Sequence, residues 1–204
     1  GDLYDFHLRS DGRLVFLVGD VTGKGMGAAL LMSSFLASAR VLYDTCGDPA
    51  ELAIRLGAVL HRTTDRKRFV TGFVGCLDPA SGTLDYVNAG HPPPILARGG
   101  ALRELDSGGP PFGVLPDFPY AAASTGLAPG ELFALFTDGI PEAQRGEELY
   151  DNARLRAAVA EECGTTDLAV IRERMLARVD EFLAGAHRTD DITLVLLRRS
   201  GSAS

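Results

Sequence analysis

Residues 69–105 read FVTGFVGCLDPASGTLDYVNAGHPPPILARGGALREL. Four short runs, 69–77, 83–88, 94–98 and 101–105, carry the β-branched, aromatic and apolar residues of strands. Between them stand Asp78-Pro79-Ala80-Ser81-Gly82, Ala89-Gly90-His91-Pro92-Pro93 and Gly99-Gly100, each built from turn formers. Strands that follow one another this closely favour an α+β domain over a doubly wound parallel sheet, in which each strand is followed by a helix.

The flanking sequence supports that choice. Residues 3–8 and 13–19 bracket the turn signal Ser10-Asp11-Gly12 and predict a hairpin. From Gly27 the period changes: Ala28, Leu31, Phe35, Ala39 and Leu42 follow the spacing of a buried helix face. Asp48 caps a second helix with Pro49 at its first position and Leu52, Leu56 and Val59 on one side. Beyond the Pro/Gly-rich loop 108–119, strands are expected at 120–125 and 131–136, and a helix over 151–162 stopped by Gly164. Leu168, Ile171, Met175, Val179 and Phe182 give another helix, capped by Thr165 or Thr166, and the last strand begins at Ile192. The fold class is α+β: two stacked, mainly antiparallel β-sheets flanked by helix pairs, an αββα sandwich. One domain is expected over residues 1–199, with 200–204 a flexible polar tail.

Composition narrows the function. At 204 residues and 46% hydrophobic, the chain buries one sizeable core. A formal charge of −7, with no basic run longer than Arg66-Lys67-Arg68, argues against a nucleic-acid partner. Cys46, Cys76 and Cys163 lack ligand spacing and read as free thiols in a reducing, cytoplasmic setting, and no stretch is apolar enough to span a membrane.

Several apolar runs meet an acidic residue. Residues 14–18 run into Gly19-Asp20, residues 132–136 into Thr137-Asp138-Gly139, and Asp190-Asp191 opens the run from Ile192. Asp2 stands just ahead of the first strand. Carboxylates at the rim of a core are costly unless a cation or hydrogen bonds compensate, and several such rims together suit Mg²⁺ or Mn²⁺. Each motif also has a plain reading as a turn. Gly19-Asp20-Val21-Thr22-Gly23-Lys24-Gly25 is not a P-loop, because Val18 stands where the first Gly is needed and Gly25 where Ser or Thr is needed. No Gly-x-Ser-x-Gly nucleophile elbow is present. His91, in a proline-stiffened loop, reads as structural. His187, near Asp190, is either a proton-transfer residue or an exposed loop residue, His7 a strand residue and His61 a helix-surface residue.

Taken in order, Gly1-Asp2-Leu3-Tyr4-Asp5, the Gly19 to Gly25 motif, Ala29-Leu30-Leu31-Met32, Phe69-Val70-Thr71-Gly72, Ala89-Gly90-His91-Pro92-Pro93, Thr137-Asp138-Gly139-Ile140-Pro141-Glu142-Ala143 and Asp190-Asp191-Ile192-Thr193-Leu194 resemble one family. It is the metal-dependent type-2C protein serine/threonine phosphatases, in the bacterial branch typified by SpoIIE and RsbU. The resemblance implies that Asp2, Asp20, Asp138 and Asp190 are metal-site carboxylates, Asp20 and Asp138 the catalytic core of the set, with the Val21 carbonyl a further ligand. Asp191 is ranked as an outer or alternate ligand, placed on the opposite side of the strand start from Asp190. It implies two Mn²⁺ or Mg²⁺ ions roughly 3.5–4 Å apart activating a water that attacks phosphoserine or phosphothreonine directly. The implied substrate is a STAS-type anti-sigma-factor antagonist in a partner-switching pathway, with an upstream sensor domain.

Two departures stand out. Thr22 occupies the place where eukaryotic members carry a His proposed as general acid, and the strand that pairs ahead of Asp2 in the family is missing. Two other classes are carried alongside: a catalytically weak regulatory binding module of the same fold, and a metal-dependent hydrolase of small phosphate esters.

Overall fold

The computed structural model describes residues 1–64, 68–106 and 108–200, so Arg66, Lys67 and the tail 201–204 lie outside the described residues. The chain divides into two compact units, one built from residues 1–91 and 106–126, the other from 92–105 and the remainder from Leu127.

The first unit holds β1 (Asp2–Leu8), β2 (Leu14–Val21), α1 (Met26–Leu42), α2 (Pro49–Thr63), β3 (Val70–Leu77), β4 (Thr83–Ala89) and β7 (Ala123–Gly126). Its sheet runs β1-β2-β3-β4-β7, antiparallel throughout. The β1–β2 turn closes because Gly12 adopts φ 85°, which suits glycine, while Asp11 accepts hydrogen bonds from the Arg13 backbone and guanidinium. β2 is buried almost end to end. One of its faces, Val15 and Leu17, joins Phe35 and Ala39 of α1 and Leu52, Leu56 and Leu60 of α2 in a single core. Each fully buried Leu or Phe there contributes roughly 1.5–3 kcal/mol. The other face carries a ladder of stacked rings, Phe16, Phe73 and Tyr86, with centroids 6.0 and 5.3 Å apart.

The cap expected at Asp48 is present: its carboxylate accepts from the Glu51 amide at 2.8 Å, and Glu51 reaches back to the Gly47 amide at 2.8 Å. α1 is clamped to the sheet by Arg40, whose guanidinium donates to both oxygens of Asp5 on β1.

The second unit holds β5 (Ile95–Arg98), β6 (Ala101–Glu104), β8 (Leu132–Phe136), β9 (Gln144–Arg145), β10 (Glu148–Leu149), α3 (Asp151–Glu161), α4 (Leu168–Leu183) and β11 (Leu194–Arg198). Its main sheet runs β11-β8-β5-β6, again antiparallel. Ile95, Leu132, Ala134 and Phe136 pack with Leu155 and Val159 of α3 and with Ile171, Met175, Val179 and Leu183 of α4. An α+β class with antiparallel sheets, each carrying a helix pair, is therefore borne out.

Four details differ from expectation. The strand predicted at 120–125 forms at Ala123–Gly126, because Tyr120 turns into the core against Phe112 and Phe118 and donates its hydroxyl to the Pro110 carbonyl. α4 is capped by Asp167 and not by Thr165 or Thr166: the Asp167 carboxylate accepts from the Ala169 amide, whereas the Thr165 hydroxyl donates to Glu162. His61 is not a mere surface residue, since its Nδ1 lies 2.9 Å from the Gly113 carbonyl and ties the loop to α2. The two-residue hairpin β9–β10 was not anticipated.

Candidate metal centre

The hairpin register sets Asp2 directly opposite Asp20. The neighbouring pair, Gly1 and Val21, exchanges both backbone hydrogen bonds, at 3.1 and 2.9 Å. Asp2 and Asp20 therefore form a non-hydrogen-bonded pair, the kind in which side chains stand closest. Like charges facing each other across a ladder are destabilising without a cation nearby. The Gly1 nitrogen lies 3.0 Å from Asp20 Oδ1 and donates to the Val21 carbonyl at 2.9 Å. The Val21 carbonyl accepts one hydrogen bond from the Gly1 nitrogen and keeps a second lone pair.

The segment after Asp20 is fixed by Thr22. Its hydroxyl donates to the Phe69 carbonyl (3.1 Å) and accepts from the Phe69 amide (3.0 Å), and its own amide donates to the same carbonyl (3.1 Å). A threonine in this position is a structural tie between two loops, with its proton directed at a backbone oxygen.

In the second unit, Asp138 follows β8 in a tight turn. Thr137, fully buried, donates its amide to the Thr193 carbonyl (3.1 Å) and accepts the Thr193 amide on Oγ1 (3.0 Å). Gly139 packs so closely on the segment before β11 that a Cβ there would lie 1.9 Å from the Asp191 carbonyl oxygen. The Asp138 turn and the Asp190–Asp191 segment are thereby held side by side. Asp190 Oδ1 accepts from the Asp191 amide at 3.0 Å. Both acids precede β11, which starts at Leu194, so the alternation invoked to separate them does not operate: Asp190 lies in a bend and Asp191 in irregular backbone, neither in pleated strand.

Among the described residues, no group of three or more His, Cys, Asp and Glu side chains is gathered tightly enough to hold a metal by itself. The donors come instead as small sets of hard oxygens, Asp2, Asp20 and the Val21 carbonyl in one unit and Asp138, Asp190 and Asp191 in the other. That suits an ion such as Mg²⁺, which takes one or two carboxylates and retains water. His91 is buried, with its amide donating to Asn88 Oδ1 at 2.8 Å and its Nδ1 3.4 Å from the Thr71 hydroxyl, in keeping with a structural role. His187 is exposed. The residues that sequence reasoning missed are Thr137 and Gly139, whose signal was their adjacency to Asp138.

Comparison with known proteins settles the family. The model of the stage II sporulation protein E (SpoIIE) family matches residues 10–200. The chain belongs to the SpoIIE family. Protein IcfG of Synechocystis is 31% identical over 98% of this chain and 36% of its own length. Phosphoserine phosphatase RsbU of Bacillus subtilis is 25% identical over 98% of this chain and 59% of its own. The chain thus spans about a third to three-fifths of these relatives. Among solved structures, the SiaA-PP2C domain of Pseudomonas aeruginosa superposes with a TM-score of 0.86 at 20% identity, covering 97% of this chain and 80% of that one. This SpoIIE-family chain therefore has the PP2C fold. Among the described residues no helix is long and apolar enough to cross a membrane, and all three cysteines are free.

Proposed function

We propose that this SpoIIE-family domain is a metal-dependent phosphatase acting on phosphoserine or phosphothreonine in a protein, with two Mn²⁺ or Mg²⁺ ions as its cofactor. Asp2, Asp20 and the Val21 carbonyl, together with Asp138 and Asp190, would hold the metal, and Asp191 would be an outer or alternate ligand. The observation that carries this reading is the Asp2–Asp20 pair, set opposite each other by the β1–β2 register beside the Val21 carbonyl. When bound, the ions supply an activated water and positive charge for the phosphoryl oxygens.

The side chains of the domain do the rest by placement. The β1–β2 register presents two carboxylates on one side of the ladder, and the Thr137–Thr193 exchange fixes where the second unit presents its own. Thr22, committed to Phe69, is not the leaving-group acid. The substrate we assign is a STAS-type anti-sigma-factor antagonist in a partner-switching pathway, in the cytoplasm and under an upstream sensor domain. RsbU, a phosphoserine phosphatase matched over nearly the whole chain, supports the reaction class. The test is hydrolysis of a serine-phosphorylated STAS-domain protein and of p-nitrophenyl phosphate with Mn²⁺ and with excess EDTA. Metal-dependent turnover is expected. Full activity in EDTA overturns the mechanism, and inactivity on both substrates in Mn²⁺ returns the domain to a binding role.

A further inference from the structure

α1 begins with an unusual surface. Met26 is 77% exposed and Leu30, one turn on, 65% exposed, although both are large and apolar. Beside them an open groove of about 410 Å³ runs between the start of α1 and the end of α2, lined by Gly27, Leu30, Leu31, Thr63, Thr64 and Arg68. Among the described residues its chemistry is an apolar floor, a hydroxyl wall and one cation, Arg68. Arg68 lies flat on the bare backbone of Gly27: a Cβ there would come within 2.7 Å of both terminal guanidinium nitrogens, so any other residue would push the cation away. The guanidinium is exposed and has no carboxylate partner among the described residues.

The groove is also tied to the candidate metal centre. Phe69, next to Arg68, makes three hydrogen bonds with Thr22, two residues after Asp20. In a chain of net charge −7, which repels acidic partners in general, the Arg68 cation beside an apolar groove selects a partner that carries a carboxylate beside an apolar side chain. An exposed Leu–Met surface supplies the binding area that such a contact needs.

We infer that this groove is where the phosphoprotein substrate docks, with an apolar side chain of the substrate against Leu30 and Leu31 and a substrate carboxylate on Arg68. The inference rests on the phosphatase reading and deepens it: the metal centre handles the phosphate, and the groove decides which protein delivers it. A phosphoserine peptide too short to reach the groove gains nothing from it.

Arg68→Glu and Leu30→Ser test this, each checked for an unchanged thermal midpoint, since both positions are exposed. With a serine-phosphorylated STAS-domain protein as substrate, each variant should lose at least tenfold in kcat/KM through KM, while kcat/KM for p-nitrophenyl phosphate stays within twofold. Binding of the same phosphoprotein, labelled and followed by fluorescence anisotropy in EDTA so that no turnover occurs, should weaken by a similar factor. Unchanged KM and affinity overturn the inference, as does failure of the STAS-domain protein to bind the unmodified domain. A parallel loss on p-nitrophenyl phosphate also overturns it, because Arg68 would then be holding the phosphoryl group itself. An unmodified domain inactive on both substrates in Mn²⁺ defeats the phosphatase reading instead, and the anisotropy measurement still decides whether the groove binds.

Discussion

Replacing Gly139 by alanine probes the candidate metal centre without removing a single ligand. The added methyl would sit 1.9 Å from the Asp191 carbonyl oxygen and 3.0 Å from its carbonyl carbon. Carbon and oxygen need at least about 3 Å, so one of the two segments must retreat by roughly 1 Å. Neither can yield easily, because Thr137 and Thr193 hold them together by two hydrogen bonds. A displacement of that size at a reacting centre typically costs about a hundredfold in rate, and overpacking of a fixed backbone costs about 1–3 kcal/mol in stability. Gly139→Ala is therefore expected to lower Mn²⁺-dependent turnover about a hundredfold and to raise the Mn²⁺ concentration needed for half-maximal activity. Its thermal midpoint should also fall by several degrees. Gly164→Ala is the control, since a Cβ there meets nothing within 4 Å. Phosphatase assays across a Mn²⁺ titration, paired with thermal unfolding, read all of this. A Gly139→Ala domain with the Mn²⁺ requirement and turnover of the unmodified protein would refute the coupling between the Asp138 turn and the Asp190–Asp191 segment.

Asp20→Asn and Asp138→Asn should each lower turnover by orders of magnitude while circular dichroism stays native; unfolded variants would show that the carboxylates serve structure alone. Asp190→Asn should be more damaging than Asp191→Asn, and a metal titration giving the reverse order would exchange their roles. Thr22→Val removes the hydroxyl ties to Phe69 and should cost about 1 kcal/mol in denaturant unfolding, a loss that Thr22→Ser should largely restore. The hydrogen bonds from Arg40 hold the Asp5 carboxyl below its usual range, so its contribution to stability is in place above the unfolded value near 3.8 and is lost as pH falls through the lower folded value. Acid unfolding curves of Arg40→Ala should show less additional loss below about pH 4 than the unmodified protein, and identical curves would dismiss the clamp.

Local signals carried most of the fold. The Ser10-Asp11-Gly12 turn fixed the first hairpin, and counting six residues outward from Leu8 and Leu14 reaches Asp2 and Asp20, so the pairing of these two acids was implicit in the turn. The Asp48-Pro49 cap and the 3–4 spacing of Ile171, Met175 and Val179 were equally readable, because each depends on neighbours within one or two turns of helix. What could not be read depended on distant partners. Tyr120 looks like a strand residue until Phe112 and Phe118 offer it a place in the core. β9–β10 is too short for any alternation to show. His61 acquires its role from a carbonyl 52 positions away, and Arg68 stands out only once Gly27 lies beneath it. The acids were visible by chemistry, but the clamp between Thr137 and Thr193 joins segments 56 residues apart and leaves no trace in either.

The interleaving of the two units bears on how the protein comes into being. β7, at Ala123–Gly126, pairs with β4 in the first unit, yet the ribosome delivers it only after β5 and β6 of the second. The first sheet can assemble four strands as a nascent chain and must wait about 35 residues for the fifth, which at cellular synthesis speeds is an interval of seconds. Through that interval β4 presents an open edge, and edges of this kind attract other chains. No single cut yields either unit whole, so a gene fragment ending near residue 91 would encode a permanently unfinished sheet.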